Sequence, residues 1–173
     1  MIAPVLETDR LILRPHRVED FDDVTALWVD PEVVRFIGGV ASTRQASWGR
    51  LLRYIGHWQA LGFGYWVVEA RGDGRFLGEV GFADYQRDIT PSLDGLPEAG
   101  WVLASAAHGQ GYASEAVQRM HQWADEVKGW RETVCIFDPD HSASQHVARK
   151  AGYEVSGEAI YEGLQTLVMR RHR

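Results

Sequence analysis

The sequence predicts one α+β domain, residues 1–173, built on a mixed and mostly antiparallel sheet of six to seven strands with about four helices around it. Two observations carry that expectation. The 173-residue chain is long enough for one sizeable core and short for two independent ones. Its hydrophobic period also alternates in a telling order: strand, two helices, three antiparallel strands, helix, strand, helix, two strands, with a single strand-helix-strand crossover near the middle.

Each element has its own signal. "RLILRP" reads as a strand, Leu11 to Arg14, closed by Pro15. Phe21, Val24, Leu27 and Trp28 recur at helical spacing, and Asp30-Pro31 looks like an N-cap followed by proline at the first position of a second, short helix. "STRQ" from Ser42 fits a capping box, after which Trp48, Leu51, Leu52 and Ile55 keep one face until Gly62. From Gly64 the period becomes two: "GYWVVEA", a turn at "RGDGR" and "RFLGEVGFADY" make a hairpin. "QRDITPSLDGLP" is a polar loop long enough to serve as a lid, and "EAGWVLA", Glu98 to Ala104, is a half-buried strand.

An amphipathic helix follows Gly111 and runs to Lys128-Gly129 on Ala116, Val117, Met120, Trp123, Ala124 and Val127. "ETVCIF" is a buried strand, "HSASQHVARKAGY" a helix closed by Gly152, and Tyr153 to Tyr161 and Leu164 to Arg171 are two last strands.

Composition narrows the function. The net charge is -6 and no Lys/Arg block exists outside the terminal "RRHR", which argues against nucleic acid as the main partner. No apolar run reaches membrane-spanning length, and "MIAPVLETDR" lacks a leader pattern, so a cytoplasmic protein is expected, monomeric or homodimeric. Cys135, the one cysteine, sits in a strand pattern and reads as core. His121 and Asp125 share a helix face, and Asp138, Asp140 and His141 cluster in a loop. Neither group has a full ligand set at zinc-like spacing, so no metal is expected and both read as solvated polar faces.

"AHGQGYASEAV" raises the sharper question, since Gly109-Gln110-Gly111 suits either a plain turn or an anion cradle. No G-K-[ST] follows, and Ser114 stands where a dinucleotide fingerprint has its third glycine. What remains is a strand, a tight loop and a helix whose first amides, Gly109 to Ser114, face the loop mouth, free of bulky side chains at Gly109, Gly111 and Ala113.

"WVLASAAHGQGYASEA" resembles the acetyl-CoA signature of the GNAT superfamily of N-acetyltransferases, Q/R-x-x-G-x-G/A after a bulged strand. "HSASQHVARKAGYEVSGE" resembles that superfamily's later motif, and "LETDRLILRPHRVEDFDDV" with "EAGWVL" resembles the branch of Rim-type ribosomal-protein N-terminal acetyltransferases. The resemblance implies a GNAT-like fold with a splayed strand at the cofactor site. Trp101, Val102 and Leu103 would pair with the pantetheine arm of acetyl-CoA, with Val102 or a neighbouring amide polarising the thioester carbonyl. His108, Gly109, Gln110, Gly111, Tyr112, Ala113 and Ser114 would hold the pyrophosphate, and Ser144 would lie near the sulfur. Three positions depart from the pattern: Ala106 replaces Gln/Arg, His141 replaces the Asn that contacts pantetheine, and Ala148 stands where many relatives have a tyrosine acid.

An amine attacks a thioester only as the free base, so a carboxylate is needed nearby. Glu98 and Glu79 are the candidate bases, Glu98 first because the Rim-like branch often has an acid before "GW". Ser144, water or no acid at all would serve the leaving thiolate. The aromatic residues Trp28, Phe36, Trp48, Trp58, Tyr65, Phe82 and Tyr85 lie where the family walls its acceptor groove, most of them as core. The expected activity is direct acetyl transfer in a ternary complex to a primary amine. The acceptor is a protein or peptide N-terminus, or a small-molecule amine such as an antibiotic or polyamine; a CoA-binding regulatory module without catalysis is the alternative. The negative charge favours a cationic acceptor at long range.

Overall fold

A computed structural model describes residues 3–173; Met1 and Ile2, part of the N-terminal stretch read above, lie outside it. The chain runs β1 (Leu6–Glu7), β2 (Leu11–Arg14), α1 (Phe21–Val29), α2 (Pro31–Val34), α3 (Arg44–Leu61), β3 (Tyr65–Ala70), β4 (Phe76–Ala83), β5 (Ile89–Thr90) and β6 (Glu98–Leu103). It continues through α4 (Tyr112–Trp123), β7 (Glu132–Phe137), α5 (Ser142–Lys150), β8 (Glu154–Tyr161) and β9 (Leu164–His172). All strands join one sheet in the order β1-β2-β3-β4-β6-β7-β9-β8-β5. Nine strands and five α-helices among the described residues exceed the six to seven and about four expected. The extra strands are β1 and β5, two residues each and too short for periodicity to reveal, while α2 is the short second helix that Asp30-Pro31 signals.

Alternation along the strands sorts the core into two layers. Leu11, Leu13, Trp66, Val68, Val80 and Phe82 face α4, with Val117, Met120 and Trp123 packed on them. The opposite face lies under α1 to α3, where Val24, Leu27, Trp28, Val33 and Leu51 cluster. Cys135 is fully buried between strands, and burial pushes its thiol pKa well up, which leaves it inert.

Local chemistry sets the helix ends. Asp30 caps α2, accepting from the Glu32 amide at 3.0 Å, with Pro31 at the first position as the sequence implies. The cap of α3 is Thr43 rather than Ser42: its hydroxyl accepts from the Ala46 amide at 3.1 Å, while the Ser42 hydroxyl accepts from Arg50 instead. Helix α4 passes into a wider π turn, Ala124–Lys128, before Gly129 closes it in the left-handed conformation. The long polar loop after β4 is tied down midway, because β5 pairs with β8 at Ile89↔Tyr161 and Thr90↔Ile160.

The reading of His121 and Asp125 as a solvated face needs correction. His121 is 3% exposed and bonded to Tyr153 Oη, and Asp125 holds Arg171 through both oxygens at 2.9 and 2.6 Å. The π turn carries Asp125 toward the sheet side, where Arg171 of β9 meets it.

Candidate functional site

Strands β6 and β7 are the sheet's parallel neighbours, and they pair at a single position, Glu98↔Val134. Beyond that point they diverge, so the β7-facing side of β6 has no strand partner from Gly100 to Leu103. Backbone amides and carbonyls there are free to take an extended ligand as a missing strand would. The opening is a cleft of about 450 Å³, with α2 on one side of the sheet and α4 and α5 on the other.

Most of the residues singled out from sequence converge on this cleft. Trp101, Val102 and Leu103 form one wall; His108, Gly109 and Gly111 to Ser114 close its end; His141, just before α5, and Ser144 in its first turn also line it. Gly109 and Gly111 have φ of +73° and +80°, a region that disfavours side chains, and a Cβ on Gly109 would project into open space. Gly111 is also the N-cap of α4, so that helix's unpaired first amides border the same end wall. Gln110 is the exception. Its side chain turns back to donate to the Ala106 carbonyl at 2.9 Å, and its own carbonyl accepts from Arg10 at 3.0 Å.

Arg10 is a site residue the sequence did not announce. It reaches from the β1–β2 turn, pairs with Glu115 on α4 and lies over the Tyr112 ring at 4.6 Å. Burial would raise the Glu115 pKa, but bonds from the Thr8 hydroxyl and from Arg10 hold it below the usual range. The loop is therefore pinned from outside, its carbonyl drawn away from the cleft. A signal existed in the sequence only as its counterpart, Ala106, which leaves the loop without a long side chain of its own.

On the opposite wall, His141 Nε2 lies 3.2 Å from Ser144 Oγ, and the imidazole stacks on Phe36 at 4.6 Å. Burial lowers the His141 pKa, with Asp138 opposing it, which favours the neutral ring and leaves a donor and an acceptor. Ala148, at the position of the family tyrosine, is fully buried. The Trp101 Nε1–H is buried without any hydrogen-bond partner, and Trp101 is one of the residues that line the cleft. An orphan donor at a cleft wall is what a ligand carbonyl would satisfy.

The two carboxylates differ sharply. Glu79 is fully buried: Oε2 accepts from Trp28 Nε1 at 2.9 Å, and Oε1 meets His16 Nε2 at 2.9 Å while His16 Nδ1 donates to the Tyr65 carbonyl. That network ties α1 to the sheet and gives Glu79 no open side. Glu98 sits where β6 and β7 part, 12% exposed, and Arg87 forks onto both its oxygens at 2.8 Å. It is thus not a solvated strand-end charge. Beside it, Gly100 admits the Tyr65 hydroxyl where a Cβ would collide, and Tyr65 is bonded to Tyr85.

Among the described residues no group of three or more His, Cys, Asp or Glu could hold a metal, and no helix is long and apolar enough to cross a membrane.

Comparisons with known proteins agree with this geometry. Residues 10–154 match the family model described as acetyltransferase (GNAT) domain. A protein from Bordetella pertussis assigned to the GnaT acetyltransferase family is 30% identical, with TM-score 0.86 over 98% of this chain and 99% of that one. The Bacillus subtilis protein YkkB is 28% identical over 87% of this chain and 86% of its own. RimL, a ribosomal L7/L12 α-N-protein acetyltransferase solved with coenzyme A, shares the fold at TM-score 0.77 and 16% identity, over 98% of each chain.

Proposed function

The chain belongs to the GNAT acetyltransferase family, and from that premise we propose that it moves acetyl from acetyl-CoA directly to a primary amine within a ternary complex. The cleft between β6 and β7 carries this reading: an unpaired strand edge, an orphan indole N–H and a glycine-lined helix start lie along one channel. GNAT acetyltransferases use acetyl-CoA, and the residues present fit it. When bound it supplies a thioester carbon as electrophile and a thiol leaving group whose pKa near 8.5 lets it depart as thiolate without an obligatory acid.

The chain's own residues do the remainder. The amides at Gly111 to Ser114 bind the pyrophosphate, helped by the positive end of α4 and by a loop that Arg10 holds open. The free edge of β6 and the Trp101 N–H orient the pantetheine amides, and an amide near Val102 polarises the carbonyl. Ser144, held by neutral His141, would offer its hydroxyl to the thiolate that leaves. Glu98 is the base that takes the amine proton, because it borders the point where the strands part; Glu79 is the strut beneath.

The test is thiol release from acetyl-CoA with a broad amine panel, run beside thermal stabilisation by acetyl-CoA, ATP and NAD. Release above background with some amine, and stabilisation by acetyl-CoA but not the nucleotides, is the expected result. Stabilisation without release from any amine would leave a CoA-binding module and remove the enzyme.

A further inference from the structure

A second groove, of about 560 Å³, is lined in part by Arg87, whose guanidinium is paired with Glu98 at the N-terminal end of β6. Its walls come from α3, the segment after β4 and the β8–β9 turn. Arg87 forms part of one wall, its guanidinium held between the Tyr85 ring at 4.4 Å and the Tyr161 ring at 4.8 Å. Glu98 takes two of its N–H groups and the Tyr161 hydroxyl a third at 2.9 Å. Five such groups exist on a guanidinium, so two remain. Arg53 projects from α3 over Tyr85 at 5.3 Å and has no carboxylate partner among the described residues. Asp88 and Glu162, exposed and likewise in no ion pair, stand on the same lining.

We propose that this groove takes an amino-acid-like acceptor, an amine with a carboxylate a few atoms away, and that Arg53 and Arg87 read the carboxylate. The inference rests on the acetyl-transfer reading and names its acceptor class. Two guanidiniums alone would suit any anion, and two acids alone any cation. The presence of both suits a ligand that carries both charges, and it disfavours a polyamine despite the overall charge of -6. Planar bidentate recognition of a carboxylate is what arginine does best, and the ring clamp on Arg87 keeps its plane fixed.

The ion pair also explains how Glu98 becomes available. In the free protein both its oxygens are occupied by Arg87. An arriving carboxylate shares that guanidinium, loosening one Glu98 oxygen. The acceptor ammonium then gives one proton to the Glu98 carboxylate, leaving a neutral amine with its lone pair and a neutral carboxylic acid; no other bond changes in that step. An amine without the anion leaves Glu98 latched.

Matched acceptors test this directly: the twenty protein amino acids, their amides, and dipeptide amides, each assayed for CoA release and for binding to the CoA-saturated protein by titration calorimetry. At least one amino acid is expected to exceed its amide about tenfold in kcat/KM. Arg53→Gln, an exposed change that breaks no ion pair, should narrow that ratio toward one through KM rather than kcat. Amides or dipeptide amides that match the amino acids, or a ratio that survives Arg53→Gln, would overturn the proposal. If nothing releases CoA yet amino acids bind and amides do not, the groove stands and acetyl transfer falls. If nothing releases CoA and binding shows no carboxylate preference, the groove falls too.

Discussion

Lowering the pH from 7.5 to 4 should destabilise this protein through His121, by an amount that follows from where its ring sits. The ring is buried under α4; Nδ1 donates to the Val117 carbonyl at 2.8 Å, and Nε2 accepts from Tyr153 Oη at 2.8 Å, which is itself 2.7 Å from Thr133 Oγ1. That chain is complete with a neutral imidazole. Burial pushes the His121 pKa from 6.5 down to about 4; the Val117 bond and Asp125 oppose the shift, and Arg171 adds to it. Since the folded value lies below the unfolded one, the unfolded chain takes the proton first as pH falls. Above pH 6.5 neither state is charged and the group contributes no slope. Between pH 6.5 and 4 stability is lost at about 1.4 kcal/mol per pH unit, about 3 kcal/mol in all. Against a total of about 5–15 kcal/mol, such a loss is large. Urea unfolding in half-unit pH steps, on wild type and His121→Leu, measures it. Carboxylates lose their contributions in both proteins, so the difference between the two curves isolates the histidine, and it should change by about 3 kcal/mol. Curves that stay parallel from pH 7 to 4 would refute the burial argument.

The remaining predictions concern the cleft. Gly111→Val, at φ +80°, should fold with a loss of about 1–2 kcal/mol and forfeit the stabilisation that acetyl-CoA gives, about 2.7 kcal/mol at a hundredfold excess over Kd, read as the shift in Tm with ligand. Trp101→Phe removes an N–H that is buried without a partner, so the free protein should be no less stable while acetyl-CoA affinity drops about 5- to 10-fold by calorimetry. Equal affinity would mean that the indole does not face the ligand. Arg10→Ala should weaken CoA about tenfold and leave acetyl-pantetheine, which lacks the pyrophosphate, bound as before. A parallel loss for both ligands would assign Arg10 to general folding instead.

The elements that sequence exposed are the ones whose periodicity has room to repeat. Helix α4 repeats its apolar face over several turns, and β3, β4 and β7 are apolar runs between turn residues, so their type and place follow from which residues must be buried. β1 and β5 are two residues long and exist because a neighbour offers an edge: β5 pairs with β8 across more than sixty residues of chain. No local pattern encodes such a pairing. The same reason hid His121, since a polar pair at helical spacing looks solvated until Arg171 and Tyr153, both contributed by distant segments, are set against it.

The candidate site divides in the same way. Its cofactor half is built from contiguous stretches, Trp101 to Leu103 and His108 to Ser114, whose spacing is visible in the chain, and the structure lines them along one cleft. The proposed acceptor half is assembled from single side chains: Arg53 on α3, Arg87 in the polar loop whose length suggested a lid, Tyr161 on β8. Arg10 shows what single-motif reading misses even in the legible half. Ala106 looked like a lost contact, yet the glycine loop is held by a guanidinium entering from nearly a hundred residues away, with Glu115 and Thr8 fixing it in turn. A cradle made of backbone amides needs only that its carbonyls point outward. Any residue able to draw the Gln110 carbonyl away meets that need, whichever segment supplies it.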